Sequence, residues 1–186
     1  MSQHSNSAGS ASWMLDSSTF IHVLMIEKIQ ILLLLRPSLF FAEYVYKIEL
    51  GVNAKEDTRR HARRVVSQGK IGIKQLTIDD LDQIAAMSRP RRIGLGELAC
   101  AIVAEREGGG VLCDDWKCRP FFQNQMSLAQ WHSIEDLLIE AAEQRYLTEF
   151  ELSELQAKLQ ENQYHCRRDL RFEYLSRLHN SSPKTV

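Results

Sequence analysis

Trp13-Met-Leu15-Asp16-Ser17-Ser18 joins three apolar residues to an acid and then to two hydroxyl residues. The apolar triplet suits a short buried strand. Ser17 and Ser18 offer N-cap chemistry for a helix running through Phe20, Val23, Leu24 and Ile31. A strand feeding a helix, with an acid at the joint, is the building unit of an α/β protein, and the pattern recurs along the chain. Arg36-Pro37 breaks the first helix, Ser38-Leu-Phe-Phe41 reads as a second strand, and residues 43–50 as a second helix bearing Glu49. Residues 53–68 form a charged helix stopped by Gly69. Ile71-Gly-Ile73 with Leu76 alternates like a third strand. Thr77 caps a further helix whose apolar residues 78, 81, 84 and 85 share one face.

A basic loop over residues 88–96 leads to Glu97, and residues 98–104 are almost all small or apolar, as in a helix packed deep against a sheet. Gly108-Gly-Gly110 ends that helix, and Val111-Leu-Cys113 is a fourth strand running into Asp114-Asp115. Short apolar strands alternating with helices predict an α/β fold with a central parallel sheet, helices on both faces and right-handed crossovers. Residues 133–178 read as helical throughout, with Thr148 and Glu151 forming a capping-box pattern. The expected organisation is a tail over residues 1–12, a core domain over 13–132, a C-terminal helical extension over 133–178 packed on the same domain, and a tail over 179–186. Both tails are expected to be disordered.

Composition narrows the class. The chain has 186 residues, enough for one core with some added helix. It is 44% hydrophobic and 25% charged, with a net charge of −1, so affinity for nucleic acid must come from local patches. The run Ile31-Leu-Leu-Leu-Leu35 falls far short of the ~20 residues of a membrane helix and reads as core. Cys100, Cys113, Cys118 and Cys166 lack zinc-finger spacing and are expected as reduced thiols of a cytoplasmic protein.

In an open parallel sheet, ligands bind beyond the carboxyl ends of the strands. Asp16 follows the first strand there, and Asp114 and Asp115 follow the fourth. Glu49 and Glu97 sit on helices that pack on the sheet. Carboxylates sharing one cleft repel, which favours a neutralising divalent cation, and Mg²⁺ or Mn²⁺ suits an all-oxygen site.

These motifs resemble those of PIN-domain ribonucleases. Leu15-Asp16-Ser-Ser-Thr-Phe-Ile21 is similar to the family's opening strand, and Val45-Tyr-Lys-Ile-Glu49-Leu-Gly51 to its second acidic position. Gly94-Leu-Gly-Glu97-Leu-Ala99 resembles the third, and Val111-Leu-Cys-Asp-Asp115-Trp-Lys-Cys-Arg119 the fourth. The match runs in order over about residues 14–122. The resemblance implies a three-layer α/β/α PIN-like fold and metal-dependent cleavage of single-stranded RNA. Asp16, Glu49, Glu97 and Asp115 would be the catalytic, metal-binding acids, and Asp114 an additional or substitute ligand. It also implies a toxin of the VapC-like toxin–antitoxin kind, held by a small antitoxin, and a homodimer. The chain departs from the family pattern in its double Asp, in the lack of an evident fifth strand over residues 121–131, and in about 55 extra helical residues at the C-terminus.

Arg89, Arg91, Arg92 and Arg119 lie beside the proposed site and are the candidate RNA-phosphate contacts. Arg59, Arg60, Arg63 and Arg64 line one side of a helix and read mainly as a solvated face. His22, His61, His132 and His165 have no partner at metal-ligand spacing, and Trp131 reads as core. The alternative function is a non-catalytic protein- or RNA-binding module of the same fold. A phosphoacceptor receiver domain fits poorly, since its acidic pair belongs early in the chain.

Overall fold

The computed structural model describes residues 11–87, 93–126 and 130–181. Five strands, β1 Trp13–Leu15, β2 Leu39–Ala42, β3 Gly72–Lys74, β4 Gly110–Leu112 and β5 Gln130–His132, form one sheet in the order β3-β2-β1-β4-β5. Every neighbouring pair is parallel. The helices are α1 Ser17–Met25, α2 Ile29–Leu35, a π-helix Val45–Asn53, α3 Glu56–Ser67, α4 Ile78–Ala86, α5 Leu95–Arg106, α6 Cys118–Gln125, α7 Ile134–Glu143, α8 Glu149–Glu161 and α9 Leu170–Ser181. The fold is α/β/α in three layers, as the alternation of strand and helix requires. Helix α5 is buried from Leu98 to Ala104 and packs on β1, β2 and β4, while α1, α2 and α7 pack on one another. Right-handed crossovers put α1 and α2 on the sheet face opposite α5.

Strand order reverses at β1, from which the chain steps outward to β2 and β3 and then returns to β4 on the other side. In such sheets the crevice between the two central strands, at their carboxyl ends, is the natural ligand site. Asp16 leaves β1 there, its N–H bonded to the Leu112 carbonyl at 2.9 Å, and Asp114-Asp115 leave β4 close by.

Several local expectations need correction. The helix foreseen from Ser17 through Ile31 is two helices. Glu27 takes a left-handed conformation (φ 59°), and the Lys28 N–H returns to the Val23 carbonyl, closing α1 without a glycine. The helix foreseen over residues 43–50 winds as a π-helix from Val45 to Asn53. Of the apolar face foreseen on α4, Ile78 and Leu81 are exposed and Ile84 alone packs against the core. Thr77 and Asp80 form a capping box that turns Asp80 inward to pair with Arg106.

The fifth strand does exist at Gln130–His132, reached through α6, which the sequence did not announce. The stretch over residues 133–178 is three helices, because Arg145 (φ 64°) and Gln163 (φ 64°) end α7 and α8 in the same way as Glu27 ends α1. Residues 179–181, expected as tail, continue α9, while the tails expected over residues 1–10 and 182–186 lie outside the described residues.

Ile31, Leu32 and Leu35 are core. Trp131 stacks on Phe122 at 5.3 Å and donates to the Cys113 carbonyl. Among the described residues, no helix is long and apolar enough to cross a membrane.

Candidate metal-binding acidic cleft

Asp16 is both the end of β1 and the N-cap of α1. Its Oδ2 accepts from the Ser18 N–H at 3.1 Å and from the Ser18 hydroxyl at 2.5 Å. The side chain is almost fully buried. Burial pushes its carboxyl up to about 7; the Ser18 hydroxyl opposes the rise, and repulsion from Glu97 and Glu49 adds to it. An acid half-protonated near neutrality, next to two others, is costly unless a cation joins it.

Glu49 is carried by the π-helix and held from below by Ser17, whose Oγ donates to Oε2 at 2.6 Å. Half-burial and the neighbouring Glu97 raise its carboxyl, against the Ser17 hydrogen bond. Two glycines make room for the glutamates. A Cβ at Gly96 would collide with the Glu49 carboxylate, and one at Gly94 with that of Glu97. The Gly94-Leu-Gly-Glu97 turn is therefore a steric requirement of the cleft as well as a start for α5.

Glu97, Asp115 and Cys118 each present a ligand atom within 4.8 Å of the other two, so this group could hold a metal ion. Asp115 also accepts from the Lys117 N–H at 2.9 Å. Burial drives the Cys118 thiol up, as do the charge of Asp115 and its hydrogen bond to Asp115, so the sulfur sits beside the acids as a neutral S–H. Cys100 and Cys113, deeper in the core, are pushed well up chiefly by burial and behave as inert thiols.

The donor set for a hard cation is thus carboxylate oxygen, from Glu97 and Asp115, with Asp16 and Glu49 near enough to repel Glu97 and each other. Oxygen donors of this kind suit Mg²⁺ or Mn²⁺; engaging the sulfur calls for a softer ion that strips its proton.

Of the two adjacent aspartates, Asp114 has another task. Its Oδ2 meets His22 Nδ1 at 2.6 Å and its Oδ1 accepts from the Ile134 N–H at 2.7 Å, tying β4 to α1 and to the start of α7. Each oxygen is already engaged, and Asp115 is the member that joins Glu97. Arg119 lies on α6, exposed, and lines the adjoining cavities rather than the acidic cleft. Arg89, Arg91 and Arg92 lie outside the described residues.

Sequence reasoning missed the roof of the cleft. The chain between α8 and α9, residues 162–169, crosses the carboxyl end of the sheet. Ser18, His22, Glu97, Asp114, Asp115 and Trp116 together with residues 163–165 and Arg167 enclose a cleft of about 390 Å³. The strap is anchored by Glu135, which is fully buried and accepts from the Tyr164 hydroxyl (3.2 Å), the Arg167 N–H (3.0 Å) and Arg168 Nε (3.0 Å). His22 packs its ring on Tyr164 at 4.8 Å. The cue available in the sequence was the polar stretch around residues 162–169 between two helical patterns, which marks a loop but not where it lies. Comparison with protein-family models and with curated proteins finds no match to this chain.

Proposed function

We propose that the chain is a metal-dependent endoribonuclease of the PIN type that hydrolyses phosphodiester bonds in single-stranded RNA. The observation that carries this reading is the gathering of Asp16, Glu49, Glu97 and Asp115, from four separate parts of the chain, at the carboxyl end of a parallel sheet where its strand order reverses. Glu97 and Asp115 would hold Mg²⁺ or Mn²⁺, with Asp16 and Glu49 completing the negative lining. When bound, the ion supplies Lewis acidity toward a phosphate oxygen and lowers the pKa of a coordinated water. The protein's part is orientation. Ser17 and Ser18 fix two carboxylates, Gly94 and Gly96 let the glutamates close in, and residues 162–169 narrow the approach.

With this activity go the family-like expectations of a cytoplasmic homodimer and a toxin role checked by a small antitoxin. Asp16→Asn and Glu97→Gln test the chemistry: both should abolish cleavage of a single-stranded RNA in Mg²⁺ or Mn²⁺ while the protein stays folded. Undiminished cleavage in both variants would sink the proposal. A second reading, a non-catalytic binding module, draws on the exposed Phe150 of α8 and Phe172 of α9. It predicts no heat of metal binding at millimolar Mn²⁺ in calorimetry.

A further inference from the structure

We infer that Trp116 and Arg167 form a nucleotide-binding subsite in the acidic cleft, taking a base of a single-stranded nucleic acid on the indole and the adjacent phosphate on the guanidinium. The inference rests on the metal-site reading above and names how its substrate would be held.

Trp116 immediately follows Asp115 and lines the same cleft, with 49% of its surface exposed. The other two tryptophans, Trp13 and Trp131, are 6% and 7% exposed and belong to the core. The half-exposed indole thus stands one residue from a metal-ligand candidate and outside the hydrophobic core. The Arg167 guanidinium lies 5.4 Å from its ring centroid, and among the described residues it pairs with no carboxylate. Its neighbour Arg168 is wholly engaged by Glu135 and Asp136.

The lining of the cleft therefore sets the acids Glu97, Asp114 and Asp115 beside Arg167, His165 and Trp116. Such asymmetry fits a chain of phosphates separated by flat bases. One phosphate faces the ion, the next meets a cation, and the base between stacks on an aromatic ring, a contact that is indifferent to sequence. The backbone anchoring of residue 167 through Glu135 presets the guanidinium without using its charge.

The test is binding of a fluorescein-labelled six-nucleotide RNA, followed by anisotropy with Ca²⁺ as the ion, alongside thermal melts with and without Mn²⁺. Trp116→Ala should weaken RNA binding roughly tenfold, and Trp116→Phe, which keeps a stacking face, should recover most of it. Arg167→Ala should weaken binding and flatten the dependence of log K on log salt by about 0.7, whereas Arg167→Lys should keep the slope. Neither site's variants should change the stabilisation by Mn²⁺. RNA affinity unchanged in Trp116→Ala and Arg167→Ala, with wild type still stabilised by Mn²⁺, overturns the subsite and leaves the metal site standing. No Mn²⁺ stabilisation in wild type overturns the metal-site reading, and binding that still depends on Trp116 and Arg167 would then support the subsite alone.

Discussion

The Glu49 carboxylate occupies the space that a Cβ at Gly96 would need, although 47 positions separate the two residues and they belong to different helices. The contact makes α5 and the π-helix a single mould for the acids.

Gly96→Ala follows from it. Alanine favours a helix over glycine by up to ~1 kcal/mol, and the displaced group is the far end of a flexible side chain, so stability should hold or rise slightly. The carboxylate must move, however, and Mn²⁺ affinity measured by calorimetry should fall on the order of tenfold, as for loss of a supporting contact at a metal site. Unchanged affinity would show that Glu49 does not contribute to the site.

Asp16 gives a pH prediction. Its folded pKa, about 7, lies above the unfolded value of 3.8, so between these the native state binds more protons and stability falls as pH rises. Asp16→Asn keeps an oxygen to cap α1 and removes that penalty. In metal-free buffer it should melt higher than wild type at pH 8, by up to about 4 kcal/mol in stability, with the difference vanishing near pH 4. In wild type, stabilisation by Mn²⁺ should grow from pH 5 to pH 8 as the carboxyl ionises. Melts of both proteins across that range decide it, and parallel pH profiles would contradict the burial argument.

Cys118 separates hard from soft ions. Because its thiol is held protonated beside Asp115, Cys118→Ser should leave stabilisation by Mg²⁺ or Mn²⁺ intact and sharply weaken that by Cd²⁺, which draws on thiolate. Equal losses for both ions would place the sulfur in the hard-ion site.

Arg145 sits at φ 64°, where a Cβ costs ~1 kcal/mol or more. Arg145→Gly should therefore stabilise the protein by about 0.5 kcal/mol after the added flexibility of the unfolded chain is subtracted. Urea denaturation would detect the change, and a destabilised variant would mean that the Arg145 side chain does more than end α7.

The sequence was legible where the chemistry of a single residue forces a structure. Gly69 and Gly108 both take positive φ and stop α3 and α5 as expected. Thr77 and Thr148 cap α4 and α8 with the partners their spacing supplies. The apolar triplet ahead of Asp16 is a strand, and the one ahead of Asp114 is a strand shifted by one residue to Gly110–Leu112, which is why the acids could be placed at the sheet's carboxyl edge. What escaped was decided by tertiary contact. Glu27, Arg145 and Gln163 end helices in a conformation that glycine favours, so nothing local announced three of the breaks. The pairing of His22 with Asp114 spans 92 positions, and no spacing rule reaches that far. Fully buried Glu135 stands in the first turn of α7, and its role appears only once the chain returns to it at residues 164–168.

The walls and roof of the cleft also carry a consequence for how the molecule comes into being. Its acids stand at positions 16, 49, 97 and 115, with the covering strap at 163–167, so a fragment holding all four acids must span residues 16–115 and one that also holds the strap must run on to 167. A chain emerging residue by residue from synthesis would carry Asp16 and Glu49 as unrelated surface charges until the strand that leads to Asp115 had joined the sheet beside β1. The cleft would be roofed only after that. A polypeptide cut short anywhere before its last two helices would thus be released with its acids ungathered or uncovered, so capability arrives late and all at once.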